Sequence, residues 1–253
     1  MILNLLLALL ICGCCTFQPL GPSVPVGNQP IRVMTLNLCA DWTAPRNDRL
    51  KAVATFCQDN QVDVLLVQEA VSGIGQGNAA NFLAGKLGYY YSQVPAFGFP
   101  LFYQFNIGVI SRWPISQSRS LGCQVPGGVF VDNVPNPCSS RALLVQTGGL
   151  WFATCHLIIP FTEENHERQV SCILGKLPAE VIWGGDFNSD RNNPAYSIIT
   201  GAGFKDAPPA GAPLVDLIFY RGANWRLISS TLVLTDHYVT DHPGGVLVEI
   251  APQ

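Results

Sequence analysis

Val181-Ile-Trp-Gly-Gly-Asp186-Phe-Asn188 begins as an apolar run suited to a buried strand and ends, without a break, in a carboxylate and an amide. Read alone, Asp186 is a side chain that turns the backbone at a strand end. That reading fails to explain why the pattern recurs. Arg32-Val-Met-Thr-Leu-Asn37 closes on an amide, Val62-Asp-Val-Leu-Leu-Val-Gln-Glu69 on a carboxylate, and Leu150-Trp-Phe-Ala-Thr-Cys-His156 on an imidazole. Val215-Asp216 sets an acid beside another apolar run, and Asp241-His242 precedes the last one. Strand ends along one rim of a sheet are where an open α/β architecture gathers a ligand site, so groups far apart in the chain would converge there.

Working outward from these runs, β-branched and apolar periodicity predicts strands over Ile31–Leu36, Val62–Gln68, Ile107–Ser111, Ala142–Thr147, Leu150–Cys155, Val181–Gly184, Val215–Tyr220, Leu227–Leu234 and Val246–Ile250. Helices are predicted at Asp48–Gln58, Ala79–Leu87 and Glu163–Leu177, the last opened by Thr162 as N-cap with Glu163 and Glu164 in its first turn. Gly148-Gly149 reads as a two-residue hairpin turn. An early strand–helix–strand followed by hairpins implies mixed sheets, and runs this apolar need two sheets packed face to face with helices outside. The fold class is therefore α/β. Composition agrees, because 48% of the residues are hydrophobic and only 12% are charged, which excludes disorder and coiled coil. With 24 Gly and 19 Pro the chain carries the many turns of short elements rather than a helical bundle. Its formal charge of −3 offers no general field for polyanions, so phosphate chemistry needs local cations or a metal.

The donor types define the chemistry. Glu69, Asp241 and Asn37 are hard oxygen donors suited to Mg²⁺, Mn²⁺ or Ca²⁺. Two histidines with Asp186 and Asn188 add a base for water and donors for a charged oxygen, a set fit for metal-assisted attack of water on phosphorus. No G-x-S-x-G elbow or P-loop occurs, and no G-x-G-x-x-G lies between a strand and a helix, which removes serine hydrolysis, nucleotide-driven transfer and hydride chemistry.

Five segments resemble the endonuclease/exonuclease/phosphatase superfamily with its deoxyribonuclease I-like fold. They are Val33-Met-Thr-Leu-Asn37-Leu, Val64-Leu-Leu-Val-Gln-Glu69-Ala, Asn106-Ile-Gly-Val-Ile-Ser-Arg-Trp-Pro-Ile115, Gly184-Gly-Asp186-Phe-Asn188-Ser and Thr240-Asp241-His242. His156-Leu157, Arg168-Gln169 and Val215-Asp216-Leu-Ile-Phe219 add support. The resemblance implies a four-layer sandwich of two packed mixed β-sheets flanked by helices, a divalent cation and hydrolysis of phosphate esters. It implies Glu69 as main metal carboxylate with Asn37 and Asp241 nearby, Asp186 to orient or deprotonate water, and His156 and Asn188 on the phosphoryl oxygens. His242, held by Asp216, would stabilise developing charge, and Arg141 is a candidate phosphate clamp. Thr235-Asp236-His237 nearly repeats Thr240-Asp241-His242, and were it the catalytic pair the roles would move to Asp236 and His237.

At the N-terminus, the uncharged run Leu3–Ile11 is too short to span a membrane and reads as a targeting segment. Residues 1–18 are expected to be a signal peptide or lipoprotein leader, with Cys14 a possible site of lipid attachment. Residues 19–30 are expected to form a Pro/Gly-rich tether, and 31–253 one domain. Beyond the leader stand Cys39, Cys57, Cys123, Cys138, Cys155 and Cys172, an even number that favours disulfides after export. Cys123 with Cys138, bracketing a Pro/Gly-rich loop, is the expected bridge, and the lack of C-x2-C beyond the leader excludes zinc. Export favours a secreted nuclease acting on nucleic acid. A sphingomyelinase-like phospholipid phosphodiesterase or phosphatase is the alternative, and a binding protein without catalysis is the reading from another class. The aromatic stretch from Tyr89-Tyr90-Tyr91 to Phe105, with Phe97, Phe99, Phe102 and Tyr103, would stack on bases, pack on sugar, touch lipid or simply pack a hairpin. No obligate protein partner is evident.

Overall fold

The computed structural model describes residues 27, 29–39, 46–75, 77–99, 103–123, 141–157, 162–209 and 214–253. The predicted leader, Cys14, most of the tether and Cys138 lie outside them. In chain order the elements are β1 (Ile31–Asn37), α1 (Arg46–Asp59), β2 (Val64–Gly73), β3 (Gly77–Asn78), α2 (Ala79–Leu87), β4 (Tyr90–Phe99), β5 (Tyr103–Ser111) and β6 (Ile115–Ser120). They continue as β7 (Ala142–Thr147), β8 (Leu150–His156), α3 (Glu163–Leu174), β9 (Val181–Asp186), α4 (Pro194–Gly201), β10 (Lys205–Asp206), β11 (Asp216–Arg221), β12 (Trp225–Val233) and β13 (Gly245–Pro252). One sheet runs β12-β13-β1-β2-β5-β4, with β3 on β2, and the other runs β10-β11-β9-β8-β7-β6. Both are mixed, since β1–β2 and β8–β9 are parallel pairs among antiparallel ones.

Period-2 alternation sorts each central strand into an outer row for a helix and an inner row for the opposite sheet. On β1 and β2 the outer row, Met34, Leu36, Leu65 and Val67, shares a buried cluster with Leu50, Val53 and Ala54 of α1 and with Ala80 and Leu83 of α2. On the other sheet, Trp183 and Phe219 join Phe187 and Phe204 in an aromatic cluster, and Val170 and Ile173 of α3 with Ala195 and Ile199 of α4 belong to the same core. Each fully buried side chain of this size contributes roughly 1.5–3 kcal/mol relative to exposure. This gives the layers: helices, sheet, sheet, helices.

Caps explain the helix limits. Thr162 accepts from the backbone N–H of Asn165 at 3.2 Å, as the sequence predicts, and Asn78 and Asn193 cap α2 and α4 in the same way. Helix α3 ends at Leu174, three residues short of expectation, with Gly175 at its C-cap. The predicted hairpin turn is present: Gly148 and Gly149 have φ of 57° and 80°, the sign a two-residue hairpin turn demands, and Thr147 pairs with Leu150.

One cysteine expectation is corrected. Cys123 is bonded to Cys172 on α3, not to Cys138. After β6 the chain turns through Gly122 and Cys123 in left-handed conformations. There Gln169, three residues before Cys172 on α3, donates to the Cys123 carbonyl at 3.0 Å, so the helix face and not the following loop supplies the partner. Nor does the even count imply full pairing, since Cys57 and Cys155 are buried free thiols. Burial pushes the Cys57 thiol up to about 12.

Candidate active site

Between the sheets, the inner row changes character along the strands. Apolar Val33, Leu66, Val109 and Ile182 give way to a layer in which buried Gln68 donates to Thr154 Oγ1 at 2.9 Å and to Thr35 Oγ1 at 3.2 Å. Next come the rim residues. Strand register aligns three of them, because His156 pairs with Asp186 and Asp186 with Asp216 across β8, β9 and β11. Asn37 ends the matching row of β1 in the facing sheet, opposite Gln68.

Two glycines make this approach possible. A Cβ on Gly184 would stand 2.8 Å from Leu66 Cδ1 of the opposite sheet, and one on Gly185 would stand 2.2 Å from the Cys155 carbonyl oxygen. Glu69 is delivered differently. Between Val67 and Ala70 the β2–β5 register slips, leaving Gln68 and Glu69 opposite the single residue Ile107. Glu69 occupies this bulge at φ 53°, a rare conformation for a side chain of its size. Asn106 holds the bulge by donating to the Ala70 carbonyl at 2.6 Å and to Ser72 Oγ at 2.9 Å.

The rim groups meet at Asn37 and Asp186. Asn37 Oδ1 accepts from the Cys39 backbone N–H at 2.9 Å, which orients the amide. Its Nδ2 then faces Glu69 Oε1 at 3.2 Å, Asp186 Oδ2 at 3.1 Å and His242 Nε2 at 3.3 Å. Asp186 is 1% exposed. Its Oδ2 also lies 3.3 Å from His156 Nε2, and its Oδ1 accepts from the Asn188 backbone at 2.8 Å. Asn188, at φ 49°, donates through Nδ2 to the Leu157 carbonyl at 2.7 Å. The fully buried Asp216 accepts from His242 Nδ1 at 2.5 Å.

This dyad binds protons more tightly than its parts would in water. Burial pushes the Asp216 carboxyl up to about 7, against the hydrogen bond from His242 and with the help of the Asp186 charge. For His242, burial acts to lower the value, but the bond to Asp216 and the charges of Asp216, Asp186 and Asp241 outweigh it and raise the ring to about 9. Nε2 lies between a donor, Asn37 Nδ2, and an acceptor, Asp186 Oδ2 at 3.7 Å. A neutral ring accepts from the amide, and a charged ring donates toward the carboxylate.

Six of the predicted residues are thus joined by hydrogen-bond distances: Asn37, Glu69, His156, Asp186, Asp216 and His242. Asn188 adjoins through the backbone of Asp186. Asp241 stands exposed beside them, its charge acting on Asp216 and His242. Arg141 is buried, and its carbonyl accepts from the His156 backbone at 3.2 Å. The rival pair is placed elsewhere: Asp236 accepts from the Tyr238 backbone at 3.2 Å in a turn, with His237 exposed.

The family model for the endonuclease/exonuclease/phosphatase family matches residues 34–242, which span every one of these groups. The chain belongs to that family. Its members are metal-dependent phosphoric ester hydrolases. No curated protein matches the sequence. Among solved structures, an endonuclease/exonuclease/phosphatase family protein from Leptotrichia buccalis C-1013-b is 20% identical over 87% of this chain and 99% of its own, with a TM-score of 0.67. The human Nocturnin catalytic domain with bound sulfate anion is 17% identical over 91% of this chain and 96% of its own, at 0.66. D. rerio TDP2 complexed with single strand DNA product is 16% identical over 87% of this chain and 98% of its own, at 0.62. These likenesses establish a shared fold.

The family's divalent cation fits this donor set. Asn37 Nδ2 faces the carboxylates of Glu69 and Asp186 at once, and Asp216 and Asp241 add their charges beside His242, so negative charge gathers at this rim. Asp186, Asp216 and His242 bring one ligand atom each within 4.8 Å of one another. Because Asp216 already engages His242 Nδ1, that trio is better suited to acid–base work, and Glu69 would hold the ion, with Asn37 orienting the Glu69 carboxylate through Nδ2.

Three supporting residues carry no role in the sequence reading. Asn106 braces the Glu69 bulge, and its only signal is a place in the quoted Asn-Ile-Gly segment. Gln169 ties α3 to Cys123. His166 donates from Nε2 to the Phe187 carbonyl at 2.7 Å, between Asp186 and Asn188, and burial lowers its pKa so that the ring stays neutral.

Proposed function

We propose that this chain is an exported, divalent-metal-dependent phosphodiesterase that hydrolyses nucleic acid by attack of water on phosphorus. The observation that carries the reading is Asp186 Oδ2, which Asn37 of one sheet and His156 of the other both approach, beside the Asp216–His242 dyad. Glu69, oriented by Asn37 and with Asp241 at the exposed edge, would hold a Mg²⁺ ion, or Mn²⁺ or Ca²⁺ in its place, which would supply Lewis-acid charge for a phosphoryl oxygen. Asp186 Oδ2 takes the proton of the attacking water. His156 and the second amide hydrogen of Asn188 face the non-bridging oxygens. His242, protonated and fixed by Asp216, neutralises charge as it develops. Arg141, whose carbonyl accepts from the His156 backbone, would serve as the phosphate clamp.

Nucleic acid as substrate is supported by TDP2, whose complex contains a single strand DNA product. Export is supported by the apolar Leu3–Ile11 run and by the Cys123–Cys172 bridge, which suits an oxidising compartment. Cys14 would carry any lipid anchor, and residues 31–253 would form the domain beyond the tether. The test is the mature chain with Mg²⁺ or EDTA on plasmid DNA, sphingomyelin and a generic phosphodiester. Metal-dependent cleavage of DNA in excess of sphingomyelin is expected, and it should be lost in Asp186→Ala and His242→Ala. Turnover of sphingomyelin alone would move the substrate to lipid, and binding without turnover would make the chain an inactive member of its fold.

A further inference from the structure

The inner row of β5 passes from buried Ile107 and Val109 to half-buried Phe105 and Tyr103, beyond the end of the packed core. Phe105 lies opposite Phe97 of β4, and their rings stack at 4.1 Å with planes 17° apart. Phe97 meets the His156 ring edge-on at 6.3 Å, and Tyr103 meets Phe105 edge-on at 4.9 Å. Tyr103 in turn lies within electrostatic reach of Glu69 and Arg46. A line of rings therefore runs from the imidazole of His156 through Phe97 and Phe105 to Tyr103, on which the charge of Glu69 acts. Phe97 touches the inter-sheet core, but Phe105 and Tyr103 belong to neither hydrophobic cluster of the described residues.

Resting on the phosphodiesterase reading above, we propose that Phe97, Phe105 and Tyr103 form a stacking subsite for the nucleobase next to the scissile phosphate of a single strand. Phe97 stands 6.3 Å from the ring of His156, one of the groups that would hold the phosphate. Every base has a π-face, so such a wall binds without sequence preference. It also addresses an energetic need: a chain with formal charge −3 gains little from counterion release, so part of its hold on a polyanion must come from uncharged surface. A base in a duplex is already stacked on its neighbours, so only an unpaired one can use the wall. A lipid would need a broad apolar face, and this wall is one row of rings.

The test uses the full-length Asp186→Asn protein in EDTA, so that binding is read without turnover. It is titrated with a short single strand carrying 2-aminopurine, and with a matched strand bearing an abasic sugar at that position. The base-bearing strand is expected to show quenched fluorescence and roughly 5- to 150-fold tighter binding, the range that one stacked base provides. Phe105→Leu, which keeps apolar bulk for folding, should erase both differences, and Phe105→Tyr should retain them. Equal affinity for the two strands, or base preference surviving Phe105→Leu, would overturn the subsite. So would Phe105-dependent binding to sphingomyelin vesicles in place of the strand. If the wild-type chain turns over no generic diester, the hydrolase reading fails by itself, because fluorescence decides the wall separately.

Discussion

His242 carries the sharpest electrostatic prediction at the scale of single residues. Its ring is raised from an ordinary 6.5 to about 9. Protonation therefore stabilises the fold fully below about pH 6.5, and that contribution is lost as pH rises through about 9. Two-dimensional NMR of the metal-free chain should show the imidazole titrating near 9, and Asp216→Asn should drop it toward 6.5. A wild-type ring titrating at 6.5 would contradict the dyad. Activity that needs the charged ring should fall on the alkaline side over the same range. Asn106 offers a second test at this scale. Asn106→Ala leaves the Ala70 carbonyl without its buried partner, at about 1–3 kcal/mol, and frees the bulge that aims Glu69. We expect a higher Mg²⁺ requirement for turnover at unchanged substrate KM. An unaltered Mg²⁺ dependence would show that the bulge stands without it.

At the scale of elements, the strands that carry the site were legible because each is an apolar run bordered by a polar residue. Of the edge strands, β12 was legible and β4, β6 and β10 were not. β4 contains Pro95 and Gly98, which an edge tolerates and a central strand does not, and β6, Ile-Ser-Gln-Ser-Arg-Ser, shows no apolar alternation because much of it faces solvent. Helix α4 is short and begins at Asn193-Pro194, a start signal without the length that periodicity needs. The disulfide was misread because closeness in sequence stood in for closeness in space. Cys172 lies 49 residues from Cys123 yet 5.7 Å away by Cα. A loop of that length corresponds to about 4 kcal/mol in the chain-entropy model. Cys172→Ser should therefore lower the melting temperature by roughly 5–15 °C, measured by calorimetry under oxidising conditions, and an unchanged value would mean that the bridge does not form. Gly185→Ala tests the approach of β9 to β8, since the added methyl meets the backbone of Cys155 and not a movable side chain. A loss on the order of 3 kcal/mol in denaturant unfolding is expected, and a neutral result would deny the close approach.

For the molecule as a whole, the sequence shows which groups end strands but not which strands face one another. The facing arrangement depends on two sheets packing with one register, set by Gly184 against Leu66 and by the Thr35–Gln68–Thr154 hydrogen bonds. That register brings Asn37 and Glu69 to the His156–Asp186–Asp216 row, with His242 arriving from the segment before β13. Among the described residues no helix is long and apolar enough to cross a membrane. The most direct test of a single metal-dependent centre built from both sheets is the rate of bis(p-nitrophenyl) phosphate hydrolysis against Mg²⁺ concentration, in wild type, Glu69→Gln and Asp186→Asn. The account predicts saturable Mg²⁺ dependence abolished by EDTA. Glu69→Gln should need roughly ten-fold or more Mg²⁺, and Asp186→Asn should lower kcat about 10²- to 10⁴-fold at nearly the same Mg²⁺ midpoint. Hydrolysis that ignores EDTA, or that proceeds equally in all three proteins, would contradict it.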